Sequence, residues 1–116
     1  MDLIWEQVVV DAEEPVKLGY WWAEALGWSI VYDEDGEVEI RSRPDQLPGL
    51  LFIGVPEGKA VKNRLHLDFR PADQVAEVDR LIALGARRAD VGQGDETWVV
   101  LADPEGNEFC VLSSRT

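Results

Sequence analysis

Two residue types that occur once each, His66 and Cys110, mark where chemistry could reside in this chain. Alternation along a strand sends every second side chain to the same face. In a strand over 65–70, Leu65, Leu67 and Phe69 form an apolar face suited to packing on a helix, and His66, Asp68 and Arg70 face the other way. In a final strand over 108–112, Glu108 and Cys110 share a face by the same rule. A thiolate and an imidazole together suit zinc or another softer metal, with water in the open positions. Each residue also has a plain structural reading. A lone histidine on a strand serves as a hydrogen-bonded wall residue, and a lone cysteine as a small buried filler. No base poised to activate the thiol is visible, and neither a phosphate-cradling glycine loop nor a nucleophile elbow occurs.

Trp98 alternates with Val99, so its indole is a candidate cavity wall able to stack on a flat or cationic ligand. Trp5 stands on the same strand face as Gln7 and is the other wall candidate, with core or dimer packing as the competing role. Lys59, Lys62 and Arg64 cluster in a chain short of positive charge. They suit either a clamp on a substrate carboxylate or phosphate, or pairing with the acidic first half, and the pairing is the favoured reading.

The elements that position these residues follow from patterning. Residues 4–11 are rich in β-branched types and predict a strand. Pro15 suits a first helical turn and Gly27 a stop, with Leu18, Trp21, Trp22 and Ala25 on one helical face. Strands over 28–32, 37–41 and 49–55 follow, the first two joined by a turn at Asp33-Glu34-Asp35-Gly36. The order then repeats. A strand over 65–70 precedes a break at Pro71-Ala72-Asp73 with a helix cap. A helix with Val75, Val78 and Ile82 on its face ends at Gly85, and strands over 86–91, 97–102 and 108–112 follow. Both helices close on Ala-Leu-Gly, with Gly27 and Gly85 58 residues apart. The pattern predicts a duplicated βαβββ unit in a single domain over 1–116: unit one about 3–56, a link over 57–62, and unit two about 63–114.

A net charge of −12 disfavours nucleic acid and anionic lipid as partners. The charge is lopsided: residues 1–58 carry 13 acids and 3 bases, and residues 59–116 carry 10 acids and 8 bases. Simple solubility accounts for it, and attraction of a cationic small molecule is the sharper alternative. With one cysteine no internal disulfide can form. No apolar run approaches the ~20 residues of a membrane span, and the N-terminus lacks a signal-like stretch, so a cytoplasmic location is expected.

Several runs resemble the vicinal-oxygen-chelate (VOC) superfamily, in its glyoxalase-like branch, the glyoxalase–bleomycin resistance protein–dioxygenase family. In the first half these are Gln7-Val-Val-Val-Asp-Ala-Glu-Glu-Pro and Trp21-Trp-Ala-Glu-Ala-Leu-Gly-Trp28. In the second they are Lys62-Asn-Arg-Leu-His-Leu-Asp68 and Trp98 to Asn107, which ends in Asp-Pro-Glu-Gly-Asn. The resemblance implies an α+β fold of two tandem βαβββ units with a cavity between curved sheets. It also implies a divalent metal (Zn, Ni, Mn or Fe) held by the first and last strands of each unit. Gln7 and His66 stand at two such positions. Cys110 occupies the place of the family's usual carboxylate, Glu108 is a stand-in if the strand shifts or bulges, and the last position falls near Ile53, which cannot bind a metal. The metal set is thus Gln7, His66, Glu108 and Cys110, with Trp5, Asp68, Trp98 and Arg64 as ligand-binding candidates. The resemblance implies a small-molecule-binding, commonly homodimeric protein, either a metal-dependent lyase, isomerase or dioxygenase or a non-catalytic drug-binding protein like the bleomycin-resistance branch.

Overall fold

The computed structural model describes residues 2–92, 94 and 96–115. Met1, Gln93, Asp95 and Thr116 lie outside the described residues. The chain divides into two compact units, Met1–Gly58 and Lys59–Thr116.

In the first unit β1 (Gln7–Ala12) leads into α1 (Pro15–Leu26), then β2 (Ser29–Glu34), β3 (Glu37–Arg41) and β4 (Gly49–Gly54). The second unit repeats the order as β5 (Asp68–Phe69), α2 (Gln74–Leu84), β6 (Arg87–Arg88), β7 (Val99–Ala102) and β8 (Glu108–Val111). The sheets have matching topologies, β1-β4-β3-β2 and β5-β8-β7-β6. In each, the first and last strands of the unit pair in parallel and the other neighbours are antiparallel. A parallel pair needs a long crossover, which the helix and two strands between supply.

Local chemistry explains where elements begin and end. Pro15 opens α1 where its missing N–H costs nothing, and Gly27 closes it in the left-handed region. Asp73 caps α2, its side chain accepting from the Ala76 N–H at 3.1 Å. The β2–β3 turn places Asp35 and Gly36 both at positive φ, the twist that tight hairpins favour. Asp103, 1% exposed, organises the turn ahead of β8. Its Oδ1 accepts from the backbone N–H of Glu105 (2.9 Å) and Asn107 (3.0 Å), and Asn107 Nδ2 donates to its Oδ2 at 3.0 Å. The Asp-Pro-Glu-Gly-Asn run is therefore a self-contained reversal in which a buried carboxylate has its hydrogen bonds satisfied.

The elements differ most from the sequence expectations in four places, with shifts of one or two residues at the ends of β2, β4, β7 and β8 besides. β1 begins at Gln7, not residue 4, because its parallel partner begins at Gly49. The strand expected over 65–70 shortens to Asp68–Phe69, paired with Cys110 and Val111. Leu65 is 89% exposed and falls off the expected apolar face, whereas Leu67 and Phe69 are half-buried, Phe69 edge-to-face on Phe109 at 6.0 Å. The strand expected over 86–91 is reduced to Arg87–Arg88. On α2 the buried face is Val78 and Leu81, while Val75 is 70% and Ile82 38% exposed. A short four-stranded sheet covers only a narrow strip of that helix.

No helix among the described residues is long and apolar enough to cross a membrane.

The first unit's core joins Leu18 and Trp22 of α1 to Val38, Ile40 and Phe52 of the sheet, all buried. Gly19 sits where α1 lies closest to the sheet: a Cβ there would stand 2.7 Å from Val38 Cγ1. Helix propensity alone favours alanine by about 1 kcal/mol. The clash dominates, so Gly19→Ala is expected to destabilise the protein by about 1–3 kcal/mol in urea unfolding, where an exposed helical glycine would show a gain.

Candidate functional site

The second unit holds a pocket of about 410 Å³ whose walls follow strand alternation. Cys110 of β8 faces it with Glu108 and Leu112, while Phe109 and Val111 are buried. Val100 of β7 and Trp98 just before that strand face it as well, with Leu101 in the core. Asp68 of β5 and His66 two residues earlier complete the polar side, and Lys62, Asn63 and Val91 close the outline.

Three donor atoms of different elements converge in it. His66 Nδ1 lies 3.1 Å from Asp68 Oδ1 and 3.9 Å from Cys110 Sγ. His66, Asp68 and Cys110 each offer a ligand atom within 4.8 Å of the others, a group of which there is one among the described residues. Strand register produces this cluster. Asp68 and Cys110 are direct partners in the β5–β8 ladder, held by the Cys110 N–H donating to the Leu67 carbonyl at 2.9 Å.

By residue type the group resembles a nucleophile, a base and an orienting carboxylate. The geometry denies that role, because the same imidazole nitrogen faces both thiol and carboxylate and so cannot relay a proton between them. Burial pushes the Cys110 thiol from 9.0 up to about 11, the Asp68 carboxylate adds to the rise through its charge and a hydrogen bond, and Lys62 opposes it. At neutral pH the thiol is protonated.

Glu108 has different work. Its Oε2 accepts from Lys59 Nζ at 2.7 Å and its Oε1 from the Asn63 backbone N–H at 2.7 Å. Asn63 Nδ2 also donates to the Glu108 carbonyl at 3.2 Å. Burial alone would raise the carboxyl's pKa. The Asn63 N–H and the Lys59 ammonium outweigh it and hold the group below its ordinary 4.5. β8 pairs with β7 in unbroken register, so no bulge moves Glu108 toward the His66 cluster. Both its oxygens are committed to tying residues 59–63 onto β8.

Two of the remaining candidates belong to the first unit. Gln7 lies half-buried on β1 of the first unit, and Trp5 is exposed just ahead of that strand. In the first unit the face of β4 that corresponds to Cys110 carries Leu51 and Ile53, neither of which can bind a metal. Arg64 is exposed and does not line the pocket. The expectation that the basic cluster pairs with the acidic first half is corrected at Lys59, which pairs with Glu108 of its own unit. Of the pocket residues, Asn63, Val91, Val100 and Leu112 were not singled out in the sequence, and Lys62 was weighed there only as a clamp or a pairing partner. The signal for Asn63 lay in the hydrogen-bonding capacity of the Lys62-Asn63 run just before the strand.

The duplicated βαβββ topology is that of the vicinal-oxygen-chelate superfamily. Solved structures agree. A glyoxalase/bleomycin resistance protein/dioxygenase family enzyme from Burkholderia phytofirmans superposes with a TM-score of 0.70 at 16% identity, covering 94% of this chain and 97% of that one. A variant of the fosfomycin resistance protein FosX from Listeria monocytogenes, complexed with Mn(II) and a dihydroxypropylphosphonic acid, gives 0.71 at 12% identity, covering 99% and 92%. The bleomycin resistance determinant encoded on transposon Tn5 gives 0.62 at 17%, covering 100% of each chain. No curated protein sequence matches the chain. Residues 7–112 match the family model of the glyoxalase-like domain, and the chain belongs to that family.

Two outcomes follow. In metal-free protein, iodoacetamide should alkylate Cys110 at pH 8 about a hundredfold more slowly than an ordinary thiol, the rate climbing toward pH 11; a plateau near pH 9 would contradict the burial argument. Because Glu108's carboxyl is depressed in the folded state, its contribution is present above 4.5 and is lost as pH falls through the lower folded value. Lys59→Met should therefore cost roughly 1–3 kcal/mol at pH 7 by urea unfolding, with a smaller cost at pH 3.

Proposed function

We propose that the second unit's pocket is the working site of a small-molecule-binding glyoxalase-like protein, and that His66, Asp68 and Cys110 hold a divalent metal of the zinc class in it. The observation that carries this reading is the convergence of one nitrogen, one oxygen and one sulfur donor within 4.8 Å. Ligand atoms around a tetrahedral zinc, at bond lengths of about 2.0–2.3 Å, stand roughly 3.3–3.6 Å apart. The spacings of 3.1 and 3.9 Å here bracket that range. The thiol favours zinc or a similarly soft ion over the Mn(II) bound by the FosX relative, since manganese prefers all-oxygen surroundings. Bound there, the ion would supply Lewis-acid polarisation of a ligand oxygen.

The chain's own groups set what enters. Trp98, Val91, Val100 and Leu112 give an apolar wall, and the bridge from Glu108 to Lys59 and Asn63 keeps the 59–63 segment against β8. A purely ligand-sequestering role, without catalysis, is the second reading, and a bleomycin resistance determinant shares the fold. It is favoured by the protonated thiol and by an imidazole nitrogen already engaged by Asp68, a set without a poised acid–base pair.

Calorimetric titration of zinc into metal-stripped protein tests the first reading. One equivalent should bind, and His66→Ala should weaken binding by more than about a hundredfold. No binding, or binding untouched by the substitution, would leave the sequestering role.

A further inference from the structure

The overall charge of −12 points to cationic ligands, but the pocket is built otherwise. Two of its surrounding carboxylates are already answered. Glu108 is neutralised by Lys59, at 2.7 Å with both side chains about one-sixth exposed. Asp68 accepts from His66 and shares a hydrogen bond with the Cys110 thiol. Lys62 is different. It lines the pocket, its ammonium donates a long hydrogen bond of 3.4 Å to the Asn63 carbonyl, and among the described residues no carboxylate stands within salt-bridge distance of it. The first half's excess of acids lies in the other unit's sequence, whereas residues 59–116 are nearly balanced.

From this distribution we infer that the pocket takes an oxyanion-bearing small molecule with a ring or branched apolar body, its acidic group held by Lys62 and its body laid against Trp98. The inference rests on the pocket being a small-molecule site and adds to it the ligand's charge. Without a metal, Lys62 and Asp68 offset one another and a cation gains nothing. With a divalent metal held by Asp68 and an ionised Cys110, the ion cancels both ligands and Lys62 leaves the site net positive. In either state the group with unmet bonding capacity is a cation with three N–H donors. An oxyanion satisfies it by charge-assisted hydrogen bonds, while the indole and valines desolvate the rest of the molecule.

Two fluorescent probes that share one body separate charge from shape: 1-anilinonaphthalene-8-sulfonate, an anion, and N-phenyl-1-naphthylamine, its neutral counterpart. Both are titrated into wild-type protein and into Lys62→Met, Lys62→Arg and Trp98→Leu variants. The anion should bind about fivefold more tightly than the neutral probe, the size of a partly exposed ion pair. Lys62→Met should erase that difference without changing the neutral probe, and Lys62→Arg should keep it. Equal affinities in the wild type, or an anion affinity indifferent to Lys62→Met, would overturn the inference. If Trp98→Leu still weakens both probes, the pocket reading survives that failure. If Trp98→Leu changes neither, the pocket reading has failed and the charge inference falls with it.

Discussion

The parallel register of β5 on β8 is the constraint from which the site follows. Asp68 stands opposite Cys110, and His66, two residues ahead of β5, meets the pair with its Nδ1 3.1 Å from Asp68 Oδ1. Shifting the register by one residue would turn Asp68 and Cys110 to opposite faces and send Phe69 out of its packing on Phe109. The apolar contact on one face thus holds the polar group on the other. The register is itself fixed from outside the strands, by the Asp103 turn that sets where β8 begins and by the Glu108 carboxylate that ties residues 59–63 to it.

Duplication of the topology has not duplicated the chemistry. In the first unit Val9 is the register partner of Leu51, each lying 59 residues before Asp68 and Cys110 respectively. The same ladder therefore presents two apolar side chains in one unit and a carboxylate and a thiol in the other. An identical backbone solution, with the crossover helix packed on the sheet, accepts either set. The helices and sheets depend on the alternation of buried residues, and the site depends on what stands in the other phase of that alternation.

This division explains what the sequence made legible. The order of elements was readable because caps and turns act locally: Pro15, Gly27, Asp73 and the Asp35-Gly36 turn each mark a boundary by their own backbone chemistry. Strand lengths were less so, since a strand runs only as far as its pairing does, Asp68–Phe69 on Cys110–Val111 and Arg87–Arg88 on Ala102–Leu101, a nonlocal fact. The helical face of α2 was misjudged because Val75 and Ile82 fit the helical period while the narrow sheet reaches only Val78 and Leu81. At the site, alternation was enough to group His66 with Asp68 and Glu108 with Cys110. It could not reveal that Asp68 belongs with Cys110 or that Glu108 is taken up by Lys59 and Asn63. Those pairings arise across strands and between a loop and a strand, where spacing along the chain carries no information.

The central claim is that His66, Asp68 and Cys110 form one metal-binding group. Its most direct test is the absorption spectrum of metal-stripped protein titrated with cobalt(II), which reports the donor atoms themselves. The account predicts a thiolate-to-cobalt charge-transfer band that saturates at one equivalent, disappears in Cys110→Ser, and is lost or displaced in His66→Ala and Asp68→Asn. A cobalt spectrum with only weak octahedral features, unchanged by the Cys110 substitution, would contradict it.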